Sequence, residues 1–178
     1  MIRFTQPAAS ADFERQIMPH LDAAFSLARF LMRNEDDARD VVQEAAVRAF
    51  RFYGSFRGEN SRAWFFSIVR NVCFTALKRH RVDETNVEFD EELHGAAGPA
   101  VDPGKEIDRE LDRQTVRAAI EQLPPEFREV IILRELEECS YKEIADIADV
   151  PIGTVMSRLA RARQQLHQIL CESYEREK

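Results

Sequence analysis

Residues 140–155 read SYKEIADIADVPIGTV and predict two short helices joined by a tight turn. Ser140 and Glu143 have the capping-box spacing, in which the hydroxyl accepts from one backbone N–H and the carboxylate accepts from the other. A helix should begin at Ser140 and end near Asp149, because aspartate tolerates a left-handed backbone better than most residues. Thr154 is the expected N-cap of the following helix. The stretch therefore predicts a helix-turn-helix.

The helix after the turn separates into a core face and an outer face. Val155 and Leu159 follow the core period, whereas Ser157 and Arg161 point the opposite way. Residues 152–170 contain three arginines and no acidic residue. An ordinary solvated helix is the alternative, but the cap, the turn and the acid-free outer face together favour DNA binding.

Outward from this motif, helical periodicity covers most of the chain. It fills residues 11–81, stops where glycines, prolines and acids cluster, and resumes near Ile107. We predict an all-α protein of two small helical domains, residues 1–82 and 107–178, joined by a flexible acidic linker at 83–106. The expected N-terminal core stripes are Leu21, Ala24, Phe25, Ala28 and Leu31; Ala38, Val41, Val42, Ala45, Ala49 and Phe52; and Phe65, Ile68, Val69, Val72 and Ala76.

Charge is unevenly distributed along the chain, whose net charge is −7. Residues 1–82 carry +4, residues 83–110 carry −8 and residues 111–178 carry −3. The segment 45–82 holds eight lysines and arginines and one acid, Glu59. Such a local surplus attracts phosphates even in an acidic protein.

Aromatic residues are interspersed in this basic segment. Phe74 lies on a polar helix stripe, and a glycine-containing loop, SFRGENS at residues 55–61, precedes Trp64. Aromatic rings among arginines suit single-stranded DNA, because bases stack on the rings while phosphates meet the cations. Burial in the core is the alternative, and we expect it for Phe65 and Trp64. Phe56 and Phe74 are the stronger candidates for exposure.

Catalytic and metal-binding functions find no support in the sequence. The three cysteines lie far apart and the four histidines are scattered, so neither a disulfide framework, a zinc site nor a catalytic constellation is indicated. We expect no enzyme activity, no cofactor and no metal. No stretch approaches the roughly 20 apolar residues of a membrane span, and a signal-peptide pattern is missing. The expected location is the cytoplasm, without membrane insertion.

With these residues in view, the chain resembles the extracytoplasmic-function (ECF) group of the sigma-70 family of bacterial RNA polymerase sigma factors, over nearly its whole length. DDARDVVQE at residues 36–44 resembles the family's polymerase-docking helix. SFRG at residues 55–58, with residues 64–71, resembles its promoter-melting segment. Residues 123–134 and the motif at 140–155 resemble its C-terminal module.

The resemblance implies three interaction surfaces. A region 2-like N-terminal domain would bind the clamp coiled coil of the polymerase largest subunit through Asp36, Asp37, Asp40, Val41, Gln43 and Glu44. The same domain would bind the −10 promoter element through Phe56, Arg57, Asn60, Trp64, Arg70, Asn71, Phe74, Lys78 and Arg81. A region 4-like domain would meet the polymerase flap. Its second motif helix would read the −35 element through Thr154, Met156, Ser157, Arg158, Arg161 and Arg163.

The function implied is transcription initiation: the chain would direct core RNA polymerase to promoter DNA under the control of an anti-sigma factor. Two alternatives remain. A sigma-like interaction module would keep the shape but lose the basic DNA-facing stripes, both of which are retained here. An ordinary helix-turn-helix transcription regulator would leave the pattern at residues 36–44 unexplained.

Two positions depart from the family pattern. Met156 stands where a basic residue is frequent, and Glu138 stands where glycine is common before the Ser-Tyr box. The acidic linker would also allow the two domains to close on an inhibitor or to spread along a promoter, which is a hypothesis about their arrangement.

Overall fold

The structure, a computed structural model, describes residues 7–84 and 106–176, with side chains over 11–80 and 113–173. These residues form helices and short helical turns, without strands in the two described ranges, which confirms the all-α prediction. The predicted linker, residues 83–106, lies outside the described residues except at its two ends. The helices are α1 (Pro7–Ile17), α2 (Leu21–Met32), α3 (Glu35–Phe52), α4 (Ser61–Glu84), α5 (Glu106–Gln122), α6 (Pro125–Ile131), α7 (Tyr141–Ala148) and α8 (Ile152–Arg176).

Helices α2, α3 and α4 pack together as the centre of the N-terminal domain. Asn34 caps α3, because its side-chain oxygen accepts from the backbone N–H groups of Asp36 and Asp37 at 2.8 and 3.1 Å. The three acids of the first turn add a favourable interaction with the helix dipole. The predicted stripes supply the core of this domain, either buried or partly buried against it, with one exception.

Phe52 is that exception, and its assignment to the core is wrong. It is 61% exposed, because α3 ends there and the chain enters a 3-10 turn, Tyr53–Ser55. Tyr53 packs inward instead, edge-on to the Phe13 ring at 5.3 Å. Its hydroxyl donates to the Asp12 carboxylate at 2.6 Å, which connects the end of α3 to α1.

The helix-turn-helix forms as predicted in α7 and α8. Ser140 and Glu143 make both capping-box bonds, and Asp149 ends α7 with φ 54°, in the left-handed region. The prediction that Thr154 caps α8 is wrong, because α8 begins two residues earlier, at Ile152. The Pro151 carbonyl accepts from the Thr154 N–H at 2.8 Å, so Thr154 already lies in the first turn.

A second left-handed residue lies just before α7. Glu138 has φ 52°, and it follows a π-helical turn at Ile132–Leu136. Glycine adopts this conformation at least cost. Glu138, which stands where the family commonly has glycine, therefore keeps the left-handed backbone and changes only the side chain.

The two domains pack against each other. Helix α4 contacts α7, and α2 contacts both α5 and α6. The buried apolar side chains of the two domains form one connected cluster, which reaches from Phe13 to Ala162. Helix α4, which carries most of the side chains assigned to the −10 element, therefore takes part in the contact between the domains.

Candidate nucleic-acid interface

An aromatic pocket opens at the start of α4. The rings of Phe56 and Trp64 lie 4.8 Å apart, and Tyr53 lies 6.3 Å from each. The pocket has a volume of about 490 Å³ and is lined by the Phe56 and Trp64 rings, by the loop at 55–60, and by Asp146 of α7. A partly open cavity walled by aromatic rings can hold an unpaired base.

The loop beside the pocket is held by its own polar groups. Arg57 donates to the carbonyls of Gly54 and Phe56 at 2.7 and 3.0 Å, which folds its side chain back over the loop. A Cβ on Gly58 would lie 2.9 Å from the Phe56 ring, so glycine allows the ring to lie against the loop backbone. Asn60 caps α4 by accepting from the Ala63 N–H at 2.9 Å. The loop is thus a formed structure that fixes the Phe56 ring.

The basic stripe of α4 divides into a covered part and an open part. Arg70 lies over the Phe74 ring, with 4.3 Å from its guanidinium carbon to the ring centroid, and both residues are half-buried. Asn71 and Lys78 are exposed, and Asn71 accepts from Arg70 at 3.2 Å. Arg81 lies in α4, but its side chain is outside the described residues. Phe74 is therefore less exposed than its place in the sequence suggested.

The covered part of the stripe meets the C-terminal domain through a buried ion pair. Arg70 Nε donates to Glu129 Oε1 at 2.7 Å, and the Glu129 side chain is fully buried. Burial raises the pKa of the Glu129 carboxyl, and the nearby Arg70 guanidinium opposes that rise. The sequence did not single out Glu129, although its place inside the apolar stretch Phe127–Leu133 was a signal of burial.

Two further polar contacts continue this docking surface along α4. Arg62 donates to the Glu137 carboxylate at 2.8 Å and to the Glu137 carbonyl at 2.7 Å. Asn60 donates to the Glu143 carboxylate at 2.7 Å, next to the capping box. Hydrogen bonds from the Ser140 backbone and hydroxyl, followed by that from Asn60, lower the pKa of Glu143. A carboxylate of the C-terminal domain thus lies at each of three positions between Asn60 and Arg70.

Arg128 joins the domains on the other side of this surface. It is 1% exposed, and its guanidinium donates to the carbonyls of Phe30 and Leu31 at 2.8 and 3.0 Å. These carbonyls belong to the last turn of α2, where helix carbonyls lack intrahelical partners and a cation is favoured. The same guanidinium donates to the Glu121 and Leu123 carbonyls at 3.0 and 2.7 Å. Burial lowers the pKa of Arg128 to about 10, so it stays cationic at neutral pH.

The residues predicted to read the −35 element share α8 but differ in exposure. Met156, Ser157 and Arg161 are exposed, and Thr154 is half-buried. Arg158 is half-buried, with one guanidinium nitrogen buried and unpaired among the described atoms. Arg163 is exposed and pairs with Glu135 at 2.7 Å. Ser157 and Arg161 are therefore the polar side chains of this set that are exposed on the outer face of α8 and form no ion pair among the described residues.

The predicted polymerase-binding residues lie on α3. Asp36, Asp40, Gln43 and Glu44 are exposed, and Asp37 is half-buried. Val41 is a correction: it is 5% exposed, because it faces the helical core, and so it presents no side chain to a partner. Asp36 pairs with Arg39 at 2.9 Å, and Glu44 pairs with Arg48. A shallow groove on this face is lined by Asp40, Gln43, Glu44, Val47, Arg48 and Arg51, of which Val47 is apolar.

Across 7–84 and 106–176, histidines, cysteines and acids do not group in threes suited to a metal ion. No helix within those ranges has the length and apolarity to cross a membrane.

Comparison with known proteins matches both domains. The model of Sigma-70 region 2 covers residues 17–82, and that of Sigma-70, region 4 covers residues 113–166. These two modules, in this order, define a protein of the sigma-70 type.

Two similar proteins identify the group within this class to which the chain belongs. The chain is 39% identical over 137 residues to the ECF RNA polymerase sigma-E factor of Escherichia coli K12, covering 73% of this chain and 72% of that protein. It is 32% identical over 171 residues to the ECF RNA polymerase sigma factor SigE of Mycolicibacterium smegmatis, covering 93% of this chain and 64% of that protein. The chain belongs to the ECF family of RNA polymerase sigma factors.

A solved structure shares the fold. The sigma factor RpoE of Bartonella quintana, solved in complex with the anti-sigma factor NepR, matches with a TM-score of 0.70 and 30% sequence identity. The match covers 89% of this chain and 96% of that one.

Proposed function

We propose that this chain is a transcription initiation factor that binds core RNA polymerase, recognises the −10 and −35 promoter elements, and catalyses no step itself. The observation that carries the proposal is the aromatic pocket of Phe56 and Trp64 at the start of the basic helix α4, in a chain that also holds a capped helix-turn-helix. One site suits unpaired bases and the other suits duplex DNA. An initiation factor needs both in one molecule.

Polymerase docking falls to α3 in this proposal. Its outer face combines exposed acids with the exposed apolar side chain of Val47, beside an open groove of about 560 Å³. An apolar residue surrounded by charged groups is typical of the centre of a protein interface. We assign this face to the clamp coiled coil, and the C-terminal domain to the flap.

Strand separation would follow from binding energy alone. Bases of the −10 element are captured in the Phe56–Trp64 pocket once they leave the stack, and basic groups of α4 hold the phosphates. Meanwhile α8 enters the major groove of the −35 element, where Arg161 meets a guanine edge or a phosphate. Phosphodiester bond formation remains with the polymerase.

Run-off transcription with core polymerase and a promoter library tests this proposal. We expect promoter-dependent transcripts from the wild-type chain. The Arg161→Ala variant should bind −35 duplex more weakly and reduce the salt slope by about one, whereas Gln168→Ala, an exposed change farther along α8, should not. Intact DNA binding without any promoter-dependent transcript would refute the initiation role and leave an ordinary helix-turn-helix regulator. Loss of DNA binding with retained polymerase binding would favour a sigma-like interaction module.

We further propose that an anti-sigma factor controls the chain and that it acts in the cytoplasm, where the polymerase is. Support comes from the similar RpoE of Bartonella quintana, which was solved with the anti-sigma factor NepR. An anti-sigma candidate should form a stoichiometric complex with the chain and abolish its run-off transcript. A candidate that binds without inhibiting transcription fails this test.

A further inference from the structure

The docked arrangement of the two domains places acids on the groups assigned to DNA. Glu129, Glu137 and Glu143 of the C-terminal domain pair with Arg70, Arg62 and Asn60 at 2.7, 2.8 and 2.7 Å. Arg70 and Asn60 are two of the residues assigned to the −10 element, and Arg62 belongs to the same basic segment. Three carboxylates therefore occupy donor groups between Asn60 and Arg70, and two of these donors belong to the residues assigned to the −10 element.

Carboxylates are chemically suited to stand in for phosphates. Both are anions that accept charge-assisted hydrogen bonds from guanidinium groups, with similar geometry. A guanidinium that is saturated by a carboxylate has fewer N–H groups left for a phosphate. Electrostatic attraction for DNA falls as well, because the cation surplus of α4 is neutralised locally.

Burial makes this occupation exclusive. The Arg70 side chain is 18% exposed, between the Phe74 ring on one side and the fully buried Glu129 carboxylate on the other. Asp146 of α7 also lines the aromatic pocket, which adds a negative charge at its rim. A DNA strand cannot reach Arg70 until the C-terminal domain moves away.

From these contacts we infer that the C-terminal domain is an intramolecular competitor of the −10 strand, and that α4 binds DNA only after the domains separate. The inference rests on the proposed −10 role of α4. Its consequence is quantitative: the apparent affinity for single-stranded DNA is the intrinsic affinity multiplied by the fraction of open molecules. Weakening the docking contacts should therefore strengthen DNA binding.

The test uses the full chain and the double variant Glu129→Gln/Glu137→Gln. Pulsed EPR measures the distance between nitroxides on the exposed Cys171 and on an Asp22→Cys substitution in α2. Fluorescence anisotropy measures binding of a labelled single-stranded 15-mer of mixed sequence. We expect longer interdomain distances and an affinity for the 15-mer at least about fivefold higher than that of the wild type.

A charge-matched control separates docking from net charge. Glu126→Gln/Glu172→Gln removes two exposed carboxylates from the same domain and leaves the Glu135–Arg163 pair intact. This control should keep the wild-type distances and gain less affinity than the docking variant. Equal affinity gains in the two double variants would overturn the inference, as would domains that separate without tighter binding or distances that stay unchanged.

A second docking variant covers the case in which loss of the buried Glu129 prevents folding, which circular dichroism would show. Glu137→Gln/Glu143→Gln leaves Glu129 in place, and glutamine preserves the capping box. It should give a smaller change in the same direction, and no change in either measurement would overturn the inference. Run-off transcription keeps the two proposals apart. Without wild-type transcripts the proposed function fails, whereas an active wild type with an open variant that binds no better refutes only the competitor role.

Discussion

Replacing Arg128 with methionine removes the guanidinium that ties the end of α2 to the C-terminal domain. Four carbonyls lose a charged donor, two of them in the last turn of α2. Methionine fills much of the same volume, so the cost comes from carbonyls left buried without a partner rather than from a cavity.

The size of the effect follows from these contacts. A hydrogen bond to a charged group contributes about 1.5–3 kcal/mol net, and breaking a buried charged network costs about 3–5 kcal/mol. Because the four bonds share one group, their contributions do not add, and we expect a loss of about 3–5 kcal/mol. Typical unfolding free energies are about 5–15 kcal/mol, so this variant loses a large share of its stability.

Urea unfolding measures this loss with two probes. Trp64 is the single tryptophan of the chain and reports on the N-terminal domain, whereas far-UV circular dichroism reports on all helices. The two transitions should coincide in the wild type and separate in the variant, because Arg128 joins the domains. Arg117→Met is the matched control: its exposed pair with Glu121 should contribute about 0.5 kcal/mol or less. A loss below about 1 kcal/mol for Arg128→Met would refute this account of the guanidinium.

Three further predictions concern single residues. Glu138→Gly should raise the unfolding free energy by about 1 kcal/mol, because φ is 52° there; urea unfolding checks it, and a loss would contradict it. Because the pKa of Glu143 is lowered, its carboxylate stabilises the folded chain at pH values above the ordinary carboxyl range, and this stabilisation is lost as pH falls through the folded-state pKa. Carbon-13 NMR titration of the Glu143 carboxyl should show this depressed midpoint, and an ordinary midpoint would count against the capping box. Burial raises the pKa of Cys73 to about 12 and that of Cys139 to about 11. A thiol reagent should therefore modify only the exposed Cys171 in the native chain and all three cysteines after unfolding. Rapid reaction of all three thiols in the native chain would contradict the burial of Cys73 and Cys139.

Local chemistry made the helices and the motif predictable. The Ser140 capping box and the left-handed Asp149 depend on residues within a few positions of each other, and the structure has both. Thr154 was misplaced because Pro151 starts α8 earlier, since a proline carbonyl can accept the first helical bonds. Phe52 was misplaced because periodicity alone does not mark the residue at which α3 ends.

The docking of the domains could not be predicted, because its partners are distant in the chain and polar. Arg70 and Glu129 are 59 residues apart, and no local pattern in the sequence pairs one with the other. The adjacent Arg128 and Glu129 did carry a signal, since they interrupt an apolar run that had to be buried. Only the three-dimensional arrangement shows that one faces α2 and the other faces α4.

The long separation between the docking partners also has a consequence for synthesis. The contacts made by Arg128, Glu129, Glu137 and Glu143 reach back between 59 and 98 residues. Domains generally fold as they leave the ribosome, the N-terminal one first. Until the C-terminal carboxylates have been translated, the nascent N-terminal domain presents Arg70 without its partner. A ribosome-bound chain therefore leaves the Arg70 guanidinium uncovered until the last third of the chain, which carries Glu129, has been synthesised.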